Sequence, residues 1–151
     1  MLAVVSVTGC GKDSRPSDLP RLFPCAITIT QEGNPLNGAT VSLEPIDEAN
    51  AKYRASSVTD DSGKAVVTTY GFDGVPAGRY KVCVWKTVID DITQYRNSDG
   101  EMVNSNGTDY RTVERQYSDV ATTPHEIEVT TGRGTTQATF DVGKPVKERK
   151  M

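Results

Sequence analysis

Between Cys25 and Val142, apolar residues recur at every second position in short runs, and turn residues separate the runs. Cys25, Ile27 and Ile29 alternate with Ala26, Thr28 and Thr30. Ala39, Val41 and Leu43 alternate with Thr40, Ser42 and Glu44. A period of two places each apolar set on one face of a strand. A third run covers Tyr53 to Val58. Lys64 to Tyr70 follows, with Ala65, Val67 and Thr69 on one face. Arg79 to Lys86 is the strongest pattern, with Tyr80, Val82 and Val84 facing one way. Gln31-Glu32-Gly33-Asn34, Asp60-Asp61-Ser62-Gly63 and Asp73 to Gly78 read as turns, because Asp caps the turn backbone and Gly accepts positive φ. His125 to Thr130 and Thr135 to Val142 read as two closing strands paired through Thr131-Gly132-Arg133-Gly134. Seven short strands with regular turns predict an all-β, antiparallel β-sandwich.

Composition agrees. The 151 residues suit one domain, and 36% hydrophobic with 25% charged residues describes a chain that folds. Thr, Ser, Val and Gly are abundant and Leu is scarce, which favours strands over helices. The formal net charge is −3. That argues against nucleic acid, whose phosphates call for a basic face. No apolar run approaches the roughly 20 residues of a membrane helix. Val88 to Arg111 is rich in Asp, Asn and Gly and reads as one long loop, functional or mobile. Gly143 to Met151 reads as a frayed basic tail.

The cysteines are Cys10, Cys25 and Cys83, an odd number, so one differs in role or all are free. Residues 1–10 are short and mostly apolar, and Val7-Thr8-Gly9-Cys10 resembles a bacterial lipobox with Cys10 as the lipidated residue. Residues 11–24 are polar and Pro-containing and read as a flexible tether. Only nine residues precede Cys10 and none is basic, unlike a full signal peptide. Two readings stand: a lipobox whose leader starts upstream or is trimmed, or a buried first strand from Leu2 to Val7 with Cys10 in its turn. The first implies an exported protein held in the cell envelope by a lipid. Gly11 leans toward an outer membrane.

Gly33-Asn34-Pro35-Leu36-Asn37-Gly38-Ala39-Thr40-Val41, Thr59-Asp60-Asp61-Ser62-Gly63-Lys64-Ala65 and Pro76-Ala77-Gly78-Arg79-Tyr80-Lys81-Val82 stand in this order. They resemble segments of carboxypeptidase regulatory-like domains, which share the transthyretin (prealbumin) sandwich. With Tyr117, Thr122-Thr123-Pro124 and Phe140-Asp141-Val142, the carboxyl half resembles small lipoproteins of planctomycetes and related bacteria. The resemblance covers about Pro24 to Val142. It implies a seven-stranded, prealbumin/Ig-like Greek-key sandwich over 25–142. These motifs are folding signatures, so the resemblance leaves function open.

No catalytic set emerges. His125 is the single histidine. This excludes the His-rich metal sites of zinc hydrolases and of intradiol dioxygenases. His125 reads as an exposed edge residue. No serine occupies a G-x-S-x-G elbow. Cys25 and Cys83 fall inside strand patterns, where thiols are buried and inert. Export favours a Cys25–Cys83 disulfide. Face parity opposes it, since Cys25 points with Ile27 and Ile29 while Cys83 points away from Val82 and Val84. Cys25 to Gln31 holds no lysine, so a Lys–Asn isopeptide bond there is rejected. Asp60-Asp61 and Asp90-Asp91 match no calcium loop and read as solvated turns. No metal and no cofactor is expected. The candidate ligand-binding residues are Trp85, Tyr95 and Tyr110, a stacking platform for a sugar around the long loop. The expectation is a non-catalytic, membrane-tethered binding or scaffold module, with a carbohydrate-binding protein as the alternative. Its envelope partner is unspecified.

Overall fold

The computed structural model describes residues 15–151. Cys10, the lipobox and the competing first strand lie outside the described residues. The alternating runs become strands at Cys25–Gln31, Thr40–Pro45, Ala55–Val58, Lys64–Val66, Thr68–Thr69, Gly78–Trp85, Glu126–Val129 and Thr136–Asp141. Among the described residues there is no α-helix, only two 3-10 turns at Glu48–Asn50 and Arg115–Tyr117.

Two sheets face each other. One runs, edge to edge, Glu126–Val129, Gly78–Trp85, Thr40–Pro45, Ala55–Val58, Thr68–Thr69 and Phe72–Asp73. The other is built on Cys25–Gln31, which pairs with Thr136–Asp141, Lys64–Val66 and Asn34–Pro35. The chain enters the second sheet at Lys64–Val66 and returns to the first at Thr68–Thr69, so one run serves both layers.

The inward faces are those the alternation assigns. Ile27, Ile29, Ala39, Val41, Leu43, Ala65, Val67, Tyr80, Val82 and Val84 are all fully buried in one core. Burying a Val, Leu or Ile side chain contributes about 1.5–3 kcal/mol, so this shared layer holds the sheets together. Tyr80 satisfies its buried hydroxyl by donating to the Pro76 carbonyl at 2.7 Å. Thr59 ties the Leu36-to-Ala39 bend from inside: its Oγ1 accepts from the Ala39 N–H at 2.9 Å and donates to the Leu36 carbonyl. The Glu32-Gly33 turn has positive φ at both central residues, 51° and 80°, as a tight two-residue hairpin requires.

Four expectations are corrected. The closing strands do not pair through Thr131–Gly134. Glu126–Val129 is antiparallel to Gly78–Trp85 in one sheet, whereas Thr136–Asp141 lies parallel to Cys25–Gln31 in the other. Crossing between sheets sets Phe140 beside Ile29 on the core side, and Val142 ends fully buried. The sandwich is therefore mainly antiparallel with one parallel pair.

Residues 88–111 are ordered ribbons, not a loop. Thr87–Asp90 pairs with Thr108–Arg111, and Gln94–Arg96 with Met102–Asn104. The carboxyl tail is docked too. Glu148–Arg149 adds a strand to Thr108–Arg111, and Lys147 Nζ lies 2.7 Å from Asp90 Oδ2. Finally, the end of the expected tether is packed on the domain. Leu22–Phe23 pairs with Val75–Pro76, Leu19 and Phe23 are buried, and Lys52 meets Asp18 at 2.8 Å.

Candidate functional site

Strand Gly78–Trp85 carries the core on one face and a cleft on the other. Because Tyr80, Val82 and Val84 point inward, Cys83 and Trp85 point away from the core. Register sets Cys83 opposite Ser42 and Trp85 opposite Thr40 on the neighbouring strand. Glu44 shares this outer face. The segment from Arg111 through the Arg115–Tyr117 turn to Val120 passes over it. The resulting cleft, of about 470 Å³, is lined by Glu44, Arg54, Cys83, Trp85, Arg111 and Arg115, with Ser118, Asp119 and Val120 at its rim.

The acids of this cleft are already engaged. Glu44 accepts from Ser42 Oγ at 2.8 Å and pairs with Arg54 Nε at 3.0 Å. Asp119 Oδ1 accepts the Ala121 N–H at 2.9 Å. Arg111 has no such partner. Its Nη1 is buried and makes no hydrogen bond. Arg111 also lines an adjoining cleft of about 290 Å³ with Arg115, Glu148, Arg149 and Lys150. Trp85, the single tryptophan, is 38% exposed beside these guanidinium groups.

The sugar platform expected from Trp85, Tyr95 and Tyr110 is dispersed. Trp85 lines the cleft. Tyr95 stands exposed on the Gln94–Arg96 strand. Tyr110 donates its hydroxyl to Asp91, and Lys147 Nζ sits 4.5 Å over its ring. The hydrogen bond to Asp91 is the main reason the Tyr110 hydroxyl titrates above its usual range. Arg111, Arg115, Arg54 and Glu44 escaped the sequence reading. They come from separate elements, and an isolated arginine carries no local signal of convergence.

The two cysteines are not bridged. Both thiols are free and buried, Cys25 in the core and Cys83 on the far face of its strand. Burial pushes each thiol up to about 11, for Cys83 with added repulsion from Glu44 and Asp119. A thiol held protonated is a poor nucleophile.

His125 is not the exposed edge residue expected. Its ring stacks on Tyr117, with centroids 5.3 Å apart and planes at 13°, and lies 4.8 Å from the Phe140 centroid. Its Nε2 is 2.9 Å from the Asp141 carbonyl oxygen. Among the described residues no group of three or more His, Cys, Asp or Glu side chains is placed to hold a metal ion.

With fold and cleft in place, the chain is an all-β sandwich whose outer face bears a partly apolar, cationic recess. No protein-family model matches the sequence. No curated protein matches it either. Among solved structures it is similar to BcpA, the major pilin subunit of Bacillus cereus, at 16% identity and TM-score 0.43, over 83% of this chain and 31% of BcpA. It is also similar to a proposed adhesin from Bacteroides ovatus, at 14% identity and TM-score 0.43, over 99% of this chain and 50% of the other. The chain thus spans half or less of these proteins, and the fold assignment rests on its own two sheets.

Proposed function

We propose that this chain is a non-catalytic binding or scaffold module of the bacterial cell envelope, tethered through a lipid on Cys10. One observation carries the binding role. The four ribbon strands between Thr87 and Arg111 contain no buried residue, yet their segment exposes Ile89, Ile92, Tyr95 and Met102, each more than half accessible. Such residues add nothing to the core. Ile89 and Ile92 lie together over Gly107, and exposed apolar side chains in contact mark surfaces that meet a partner. The inert thiols and the packed histidine support a module without turnover.

The test places a photo-crosslinking residue at Ile89 or Tyr95 of the full chain in its native envelope, with Val66 as an exposed control on the second sheet. Discrete adducts from the ribbon positions alone are expected. Equal adducts from Val66, or none from the ribbon, contradict the reading. Turnover that survives chelation and is lost in His125→Phe overturns its non-catalytic part.

A second reading is favoured by Trp85. An indole left 38% exposed in a recess with polar neighbours suits stacking against a sugar ring, which makes a carbohydrate-binding protein the alternative.

A further inference from the structure

We propose that the cleft between Trp85, Arg111 and Arg115 binds a carboxylate-bearing sugar, a uronic acid unit of an acidic glycan. This deepens the carbohydrate reading and rests on it.

A guanidinium carries five donors in a rigid fork and cannot shed its charge. Leaving one buried donor unpaired is costly, and native structures rarely do so without reason. The Arg111 Nη1 is such a donor, and the side chain that carries it lines a recess open to solvent. Among the described residues Arg111 and Arg115 form no salt bridge, while of the two lining acids Glu44 is held by Arg54 and Ser42 and Asp119 by the Ala121 N–H, against three lining arginines. The local charge therefore favours an incoming anion. A carboxylate matches the planar fork of a guanidinium that no acid of the protein pairs with.

Trp85 narrows the choice. It lines the same recess and leaves 38% of its surface exposed, so a ligand bonded to Arg111 lies beside an indole. An inorganic anion gains nothing from an aromatic neighbour. A pyranose ring carrying a carboxylate uses both groups at once, its apolar face on the indole and its acid on the arginine. Ser118 Oγ, whose proton goes to the Arg115 carbonyl, and the second carboxylate oxygen of Asp119 are left as acceptors for sugar hydroxyls.

Trp85 is the single tryptophan, so its emission reports the cleft directly. The full chain is titrated with trigalacturonate, with a neutral trisaccharide of the same linkage, and with triglutamate. Trigalacturonate is expected to change Trp85 emission saturably and to bind more weakly as salt rises. Arg111→Gln is expected to weaken it by about tenfold or more, as losing a charge-assisted hydrogen bond does. Arg115→Gln, at an exposed position, provides a second variant if Arg111→Gln fails to fold. Trp85→Ala, followed by calorimetry, also weakens binding. If the neutral trisaccharide binds equally and needs Trp85, the carbohydrate reading survives and the acidic ligand is overturned. If triglutamate binds as well and Trp85→Ala has no effect, the sugar is overturned. If none of the three binds, both readings fall.

Discussion

The imidazole of His125 lies nearly parallel to the ring of Tyr117, and its Nε2 reaches the carbonyl oxygen of Asp141. His125 precedes the edge strand Glu126–Val129 of one sheet, and Asp141 ends the edge strand Thr136–Asp141 of the other. No backbone ladder joins these two edges. The stack of Tyr117, His125 and Phe140 closes that side. His125→Ala is expected to cost about 1–2 kcal/mol in urea unfolding, from aromatic contacts each worth about 0.5–1.5 kcal/mol. His125→Phe keeps the stacking and loses only the polar contact, for less than about 1 kcal/mol. Equal stability of His125→Ala and the parent contradicts the closing role.

Gly63 has φ 76°, and a Cβ there meets the Ile29 carbonyl oxygen at 2.5 Å, a backbone atom that cannot turn aside. Gly63→Ala is expected to lose about 2–4 kcal/mol. Gly33 has a similar φ of 80° with nothing within 4 Å of the added methyl. Gly33→Ala is expected to lose about 1 kcal/mol, from conformation alone. Thermal unfolding of both variants separates crowding from strain.

Asp141 gathers three turn contacts. Oδ2 accepts from the Gly33 N–H at 2.9 Å and from Thr30 Oγ1 at 2.7 Å, and Oδ1 accepts from the Gly143 N–H at 2.8 Å. These bonds, led by that from Gly33, hold its carboxyl below the usual range. A depressed folded-state value means the contribution is present above the unfolded carboxylate value of about 3.9 and fades as pH falls through the folded one. Asp141→Asn is therefore expected to lower the urea midpoint near neutrality, with the gap to the parent narrowing in strong acid. A gap that widens on acidification contradicts this.

The thiols give a chemical check. With Cys25 and Cys83 buried and raised to about 11, neither is expected to react with a disulfide reagent in the native protein at pH 8. Both are expected to react once the chain is unfolded, without prior reduction. Rapid native modification contradicts the burial, and a titre missing both thiols reveals a bridge.

Much of the sandwich was legible because burial on one face writes itself as alternation. Val41, Val67 and Val82 all face the core as their spacing demands. Face parity also separated Cys83 from Cys25. The parallel partner of Thr136–Asp141 was not legible, since Ala138 and Phe140 alternate identically against either sheet. The strands of residues 87–111 were missed because they bury neither face, so no hydrophobic period marks Gln94–Arg96 or Met102–Asn104. The cleft was half visible. Trp85 stood out by parity, whereas Arg111 and Arg115 meet it only through the chain reversals of those ribbons.

The lipid proposed at Cys10 is tested most directly by the intact mass of the protein from envelopes of its native host. The predicted result is a chain beginning at Cys10 with acyl groups attached, and a Cys10→Ser variant that leaves the membrane fraction. An unacylated chain that retains Met1 and is released without detergent would contradict it.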